Sequence, residues 1–167
     1  MITPGIFFKD FKLKKKSSEI KKKLEKFIIE NNSIAQSLKK DYKDFFKKKE
    51  LKKYKSFKNI RVIGMGGSSL GTEAIYDFLK YKIKKKFFFI NNLNPRLKKE
   101  NNTKILNLIV SKSGNTIETI VNSNILVKKK DKNIFITENK KNYLYSLGQK
   151  LKADIIHHNN YIGGRYS

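Results

Sequence analysis

The chain contains no cysteine, which excludes both a disulfide framework and a thiolate metal site and suits a reducing, cytoplasmic setting. Arginine is almost as scarce. It occurs at Arg61, Arg96 and Arg165 against 36 lysines, a poor ratio for a surface that grips phosphate backbones through bidentate forks. Histidine is limited to the adjacent His157 and His158. No apolar run approaches the roughly 20 residues that cross a bilayer, and the opening "MITPGIFFKDFKLKKK" has no long apolar core following a basic start. No membrane association and no export are therefore expected.

What the chain does contain is lysine and aromatic bulk. The formal charge is +25 over 167 residues, yet 38% of residues are hydrophobic, with 12 Phe and 8 Tyr. That content excludes wholesale disorder and supports a folded α/β core. The charge is spread, +12 over residues 1–60 and +13 over residues 61–167. A dispersed lysine excess of this kind reads as a solvated face and not as a specific nucleic-acid interface.

The pattern changes near residue 59. Before it, Ile20, Leu24, Phe27 and Ile28 recur at helical spacing, and Ile34, Leu38, Tyr42, Phe45 and Phe46 continue after the "ENNS" turn signal. Residues 1–58 therefore read as a helical segment. From residue 59 to 167, short apolar runs alternate with helical stretches: "IRVIGM", "KFFFIN", "ILNLIV", "NIFIT" and "DIIHH". Alternation of this kind predicts a parallel sheet of about five strands covered on both faces, a three-layer α/β sandwich.

In such a sheet, ligands bind at the carboxyl ends of the strands. Two loops there are chemically unusual. "GMGGSSLG", residues 64–71, follows the first strand and precedes a helix whose spacing assigns Leu70, Ala74, Ile75, Phe78 and Leu79 to the core. "SKSGNT", residues 111–116, follows the third, before a helix with Ile117, Ile120, Val121 and Ile125 in its stripe. Glycines let the backbone approach a ligand, and a helix N-terminus favours an anion. The dinucleotide fingerprint fails, because the sixth position from Gly64 is Ser69 and the second strand ends in "NN" where an acid is required. A nucleotide P-loop needs Gly-Lys-Ser or Gly-Lys-Thr, which is absent, and no serine sits in G-x-S-x-G. The surviving inventory is hydroxyls and backbone N–H groups at Gly67, Ser68, Ser111, Lys112, Ser113 and Thr116. It suits the terminal oxygens of a phosphate monoester. Taken alone, the same serines and threonine would be turn formers and an N-cap, Lys112 a solvated loop residue, and the two histidines strand-end residues on opposite faces. Neither a metal nor a cofactor is called for.

"GMGGSSLG", "SKSGNTIET" and the terminal "GGRYS" together resemble three successive signature segments of the glucose-6-phosphate isomerase family, also called phosphoglucose isomerase. The resemblance covers residues 60–167 and, more loosely, the helical start. It implies a first sugar-isomerase (SIS) domain over residues 59–167, a second such domain elsewhere in the enzyme, and a homodimer. It further implies aldose–ketose interconversion of glucose 6-phosphate and fructose 6-phosphate, the step shared by glycolysis and gluconeogenesis. By the resemblance, Gly67, Ser68, Ser111, Lys112, Ser113 and Thr116 bind the substrate phosphate. Arg165 stabilises an enediol-type intermediate, and Glu118 orders the site. The family's base, histidine and late lysine have no counterparts here, since the sequence ends at Ser167 within the arginine segment. The expectation is an amino-terminal fragment, inactive by itself. The alternative is a non-catalytic sugar-phosphate-binding domain of a regulator.

Overall fold

The computed structural model describes residues 18–30, 37, 42, 43, 46, 47, 49–94 and 104–163, and two compact units divide between Tyr42 and Lys43. In the first unit, α1 (Ser18–Ile29) carries the predicted Ile20, Leu24, Phe27 and Ile28. The i,i+4 pairs Glu19–Lys23, 2.8 Å, and Lys21–Glu25, 3.7 Å, lie along the same helix. Much of the second expected helical run, Ile34, Leu38 and Phe45 included, falls outside the described residues, as does Arg165.

The second unit is built on a parallel sheet of β1 (Asn59–Gly64), β2 (Lys86–Ile90), β3 (Ile105–Val110), β4 (Lys132–Glu138) and β5 (Asp154–His158). All five strands fall where the apolar runs place them, and their order is β2-β1-β3-β4-β5. The helices are α2 (Gly67–Leu79), α3 (Ile117–Leu126) and α4 (Tyr143–Lys150), preceded by a 3₁₀ helix, Glu50–Tyr54. Among the described residues no helix is long and apolar enough to cross a membrane.

Strand alternation divides the core in two. On one face Ile63, Ile109 and Phe135 pack with Leu126 of α3 and Leu144 of α4. On the other, Leu106 and Ile134 pack with Tyr54 and Phe57, while Tyr76 of α2 meets Phe87 and Phe89 with ring centroids 4.9 and 6.0 Å apart. These contacts form the three layers. Tyr54 and Phe57 precede residue 59 in the chain, yet they seal the sheet.

The helices correct one expectation. Leu70, Ile75 and Phe78 of α2 are 56–70% exposed, and Ile117 of α3 is 66% exposed, although their spacing assigns them to the core. The buried positions are Ser68 and Ser69 of α2, and Thr119, Asn122, Ser123 and Leu126 of α3. Helix phase is set where each helix leaves its strand. A Cβ on Gly64 would lie 3.0 Å from the Val110 carbonyl and 3.3 Å from Ser68 Cβ, so α2 starts pressed against the sheet with its small residues inward.

A polar ladder crosses the sheet's interior. Arg61 Nη1 donates to Asn107 Oδ1 at 3.2 Å, and Asn107 Nδ2 to Asn133 Oδ1 at 2.8 Å. Asn133 Nδ2 reaches the Lys128 and Asp131 carbonyls, each at 3.1 Å. The three residues share one register level of β1, β3 and β4, and all are buried. Asn107 is the link, because it accepts on one side and donates on the other. Asn107→Ala leaves both neighbours short of a partner and is expected to lower stability by about 2–4 kcal/mol in urea unfolding, more than a solvent-facing Asn→Ala change.

Candidate functional site

Crossovers between parallel strands are right-handed. From β1 the chain moves outward to β2, and from β3 it moves the opposite way to β4, so the two connections leave for opposite faces. α2 accordingly lies on one face and α3 on the other. The crevice between their N-termini, at the carboxyl ends of β1 and β3, is the topological switch point of the sheet.

Both polar loops converge there. Met65, Gly67, Ser68, Ser111, Lys112, Ser113 and Thr116 line one cavity of about 440 Å³. Thus all six residues singled out for a phosphate face one space. Gly66, the residue before α2, has φ +55° and ψ −126°, a backbone state open to glycine. Ser68 and Ser111 are buried at 9% and 2% exposure. Ser111 Oγ and Thr116 Oγ1 are 3.0 Å apart, and Ser111 Oγ accepts the Gly114 N–H at 3.2 Å. Ser113 Oγ accepts the Asn115 N–H at 3.3 Å. Thr116 occupies the N-cap of α3 without capping it through its side chain; its hydroxyl is turned to Ser111. Glu118 is half-buried in the first turn of α3, outside the cavity lining.

The second loop is fixed from behind. Ser111 N–H donates to the Ile136 carbonyl at 3.0 Å, and the Lys112 carbonyl accepts the Glu138 N–H at 3.0 Å and the Thr137 hydroxyl at 3.2 Å. The Leu144 N–H donates to the Gly114 carbonyl, and the Tyr143 N–H to Asn115 Oδ1. Asn142 completes the anchor. Its Oδ1 caps α4 by accepting the Tyr145 N–H at 2.8 Å, and its Nδ2 donates to Thr137 Oγ1 and the Lys140 carbonyl, both at 3.1 Å. Composition of the loop alone did not point to Asn142, but an Asn immediately before a helix in "KKNYLYSL" is a cap signal. Gly114 has φ +67°, and a Cβ there would stand 1.9 Å from Asn142 Oδ1.

Lys112 is the cation of the cavity wall. Its Nζ donates to the Asn160 carbonyl at 2.6 Å and lies 3.5 Å from Glu138 Oε1. Glu138 is buried, and its other oxygen receives Lys140 Nζ at 2.5 Å. The Lys140 hydrogen bond holds the Glu138 carboxyl below its ordinary value of 4.5; burial opposes this, and the charges of Lys140 and Lys112 add to it. No local sequence signal marks the burial of Glu138: Lys140 lies two residues on, but Lys112 comes from the loop after β3. His157 and His158 end β5 on opposite faces, as strand alternation requires; His157 lies near the Tyr145 ring, with centroids 6.3 Å apart, and His158 Nδ1 is 2.8 Å from the Asn159 carbonyl. Among the described residues no group of His, Asp and Glu could hold a metal ion.

Two outcomes follow from this geometry. Gly114→Ala must move Asn142 and hold a left-handed backbone, and it is expected to cost about 1–3 kcal/mol in urea unfolding and to shift the amide resonances of both the loop and α4. Glu138, with its folded pKa depressed, contributes stability that is present above its unfolded value near 4.5 and is lost as pH falls through the lower folded value. Acid melting curves of Glu138→Gln should therefore be flatter below about pH 4.5 than those of the parent.

Comparison with known proteins gives a consistent picture. The family described as phosphoglucose isomerase matches residues 12–167. The glucose-6-phosphate isomerase of Methanocaldococcus jannaschii is 37% identical over 141 residues, covering 75% of this chain and 34% of that protein. That of Borreliella afzelii is 37% identical over 133 residues, covering 68% and 25%. The chain thus spans about a quarter to a third of the length of these relatives. Among solved structures, a hypothetical protein from Thermus thermophilus superposes with a TM-score of 0.67 at 21% identity, covering 89% of this chain and 40% of the other. The Vibrio vulnificus NanR protein, complexed with ManNAc-6P, superposes with a TM-score of 0.52 at 17% identity, covering 90% and 55%. Both likenesses establish the fold.

Proposed function

The chain belongs to the phosphoglucose isomerase family, and we propose that its switch-point cavity binds the phosphate of glucose 6-phosphate and fructose 6-phosphate during their interconversion. The observation that carries this reading is the meeting of Gly67, Ser68, Ser111, Lys112, Ser113 and Thr116 around one cavity of about 440 Å³, a size that suits a small polar ligand. The hydroxyls of Ser111 and Thr116, 3.0 Å apart, share one hydrogen bond, which leaves the proton of one of them for a ligand, and the first turns of α2 and α3 add backbone N–H groups with a favourable dipole. Such a site recognises the handle of the substrate and leaves its carbon chain at the rim.

The chemistry of the family reaction is proton transfer between C2 and C1 after ring opening, by a carboxylate base. Among the described residues, Glu138 is the acid paired with Lys112 of the cradle, and its carboxylate is buried between two lysines that lower its pKa. A carboxylate so stabilised in its charged form is a poor proton shuttle near neutrality. We assign Arg165 to stabilising the enediol-type intermediate, Glu118 to ordering the start of α3, residues 59–167 to the first sugar-isomerase domain, and the base to the portion of the relatives that this chain does not span. The complete enzyme acts in the cytoplasm as a homodimer in this reading, and the 167-residue chain binds sugar phosphate without turning it over.

The test is hydrogen exchange on the 167-residue chain with and without saturating fructose 6-phosphate. Protection is expected at the amides of residues 66–70 and 111–117, with Ser111→Ala and Thr116→Val each weakening binding roughly three- to ten-fold in calorimetric titration. Unchanged exchange in both loops would overturn the phosphate site. A coupled assay detecting glucose 6-phosphate formation by the purified chain would overturn the assignment of the base.

A further inference from the structure

Lys112 sits between two environments. The residue lines the cradle cavity, while its ammonium bonds Asn160 and pairs with Glu138, both of which line a second cavity of about 290 Å³ together with Asn139, Lys140, His157, His158 and Asn159. The two interactions that draw it are unequal. The hydrogen bond to the neutral Asn160 carbonyl is 2.6 Å, whereas the carboxylate of Glu138 stands 3.5 Å away. The closer cation on Glu138 is Lys140, at 2.5 Å, and Lys140 is 62% exposed. A buried carboxylate with one firm and one loose cation leaves the loose one available to another anion. The main chain of Lys112 does not share that freedom, since Thr137 and Glu138 both donate to its carbonyl.

We propose that Glu138 is a positioning residue that acts as an internal rival to the substrate phosphate, keeping the Lys112 ammonium at the rim until an anion in the cradle competes for it. This rests on the reading of the cradle as a phosphate site. At the rim the ammonium makes a close hydrogen bond to the Asn160 carbonyl and a looser ion pair with Glu138, so a phosphate that draws Lys112 into the cradle gives up the looser of the two first. Electrostatics favours the exchange, because a phosphate monoester near neutral pH carries more charge than one carboxylate. Lys140 modulates the rivalry from solvent. By taking one Glu138 oxygen it weakens the hold of that carboxylate on Lys112, so its removal returns Glu138 wholly to Lys112. The arrangement lets the cradle hold a substrate handle without a permanently docked cation, which favours release as well as capture.

The test is calorimetric titration of fructose 6-phosphate into the 167-residue chain, with the cradle amides followed by NMR. Glu138→Gln is expected to tighten binding roughly three- to five-fold, and Lys140→Met to weaken it by a similar factor. Both effects should vanish in a Lys112→Met background, because a rival for Lys112 has no consequence once the lysine is gone. A merely structural role for Glu138 predicts weaker binding in Glu138→Gln, and a general field effect predicts shifts that persist without Lys112; either result overturns the proposal. Lys140 is exposed, so Lys140→Met decides the matter even where Glu138→Gln fails to fold. Absence of any cradle-amide response to fructose 6-phosphate in the parent chain overturns the phosphate site itself, and the proposal with it. A response in the parent without the Lys112-dependent shifts overturns the proposal alone.

Discussion

The reversal, at β1 and β3, of the direction in which the chain steps across its parallel sheet is the constraint on which the rest of this structure depends. A parallel strand must be followed by a crossover of fixed hand. Two neighbouring strands whose crossovers depart in opposite directions therefore send their helices to opposite faces. The gap between the helix N-termini is left uncovered by either helix, and it opens at the end of the sheet where unpaired backbone N–H groups and positive dipole ends accumulate. The strand order β2-β1-β3-β4-β5 creates that gap once, between the Gly64–Ser68 turn and the Ser111–Thr116 loop. The cavity follows from topology, and its polarity from the residues the two loops supply.

A cradle of hydroxyls is useful only if the loop that carries it is held still. Here the support comes from β4 and the start of α4, which bind the main chain of the second loop at Ser111, Lys112 and Gly114. Asn142 joins these supports, because one side chain caps α4, bonds Thr137 and packs where any side chain on Gly114 would stand. The side chains at the front of the loop are thereby left to one another and to the cavity. The same division between fixed backbone and available side chain distinguishes the two ends of Lys112.

The interior is more polar than the apolar runs suggest. The Arg61–Asn107–Asn133 ladder crosses three central strands, and α3 turns Thr119, Asn122 and Ser123 inward. Asn122 finds the Asn92 carbonyl at 3.1 Å, which ties α3 to the segment leaving β2. Small and amide side chains allow the helix to lie close to the sheet beside the switch point, with Ile120 packed on the core while Ile117 and Ile125 face out. The strand amides Asn107 and Asn133 hold the sheet in one register, since a slip of one residue would break their mutual bond.

The sequence by itself determined the five strands, their parallel arrangement and the identity of the two polar loops. Those features are local: each strand is an apolar run bounded by turn residues, and the glycines and hydroxyls of each loop are contiguous. It also determined the family, through three segments whose order and spacing need no folding to be read. The faces of α2 and α3 were decided only by the tertiary structure, because Gly64 and Ser68 fix the phase of α2 by close approach to β3, and periodicity does not register that contact. The recruitment of Tyr54 and Phe57 to the sheet, the lock of Asn142 against Gly114, and the seat of Glu138 between Lys112 and Lys140 are likewise tertiary. Each joins residues that lie apart in the chain or on different elements, and a linear pattern carries no record of which of them will meet.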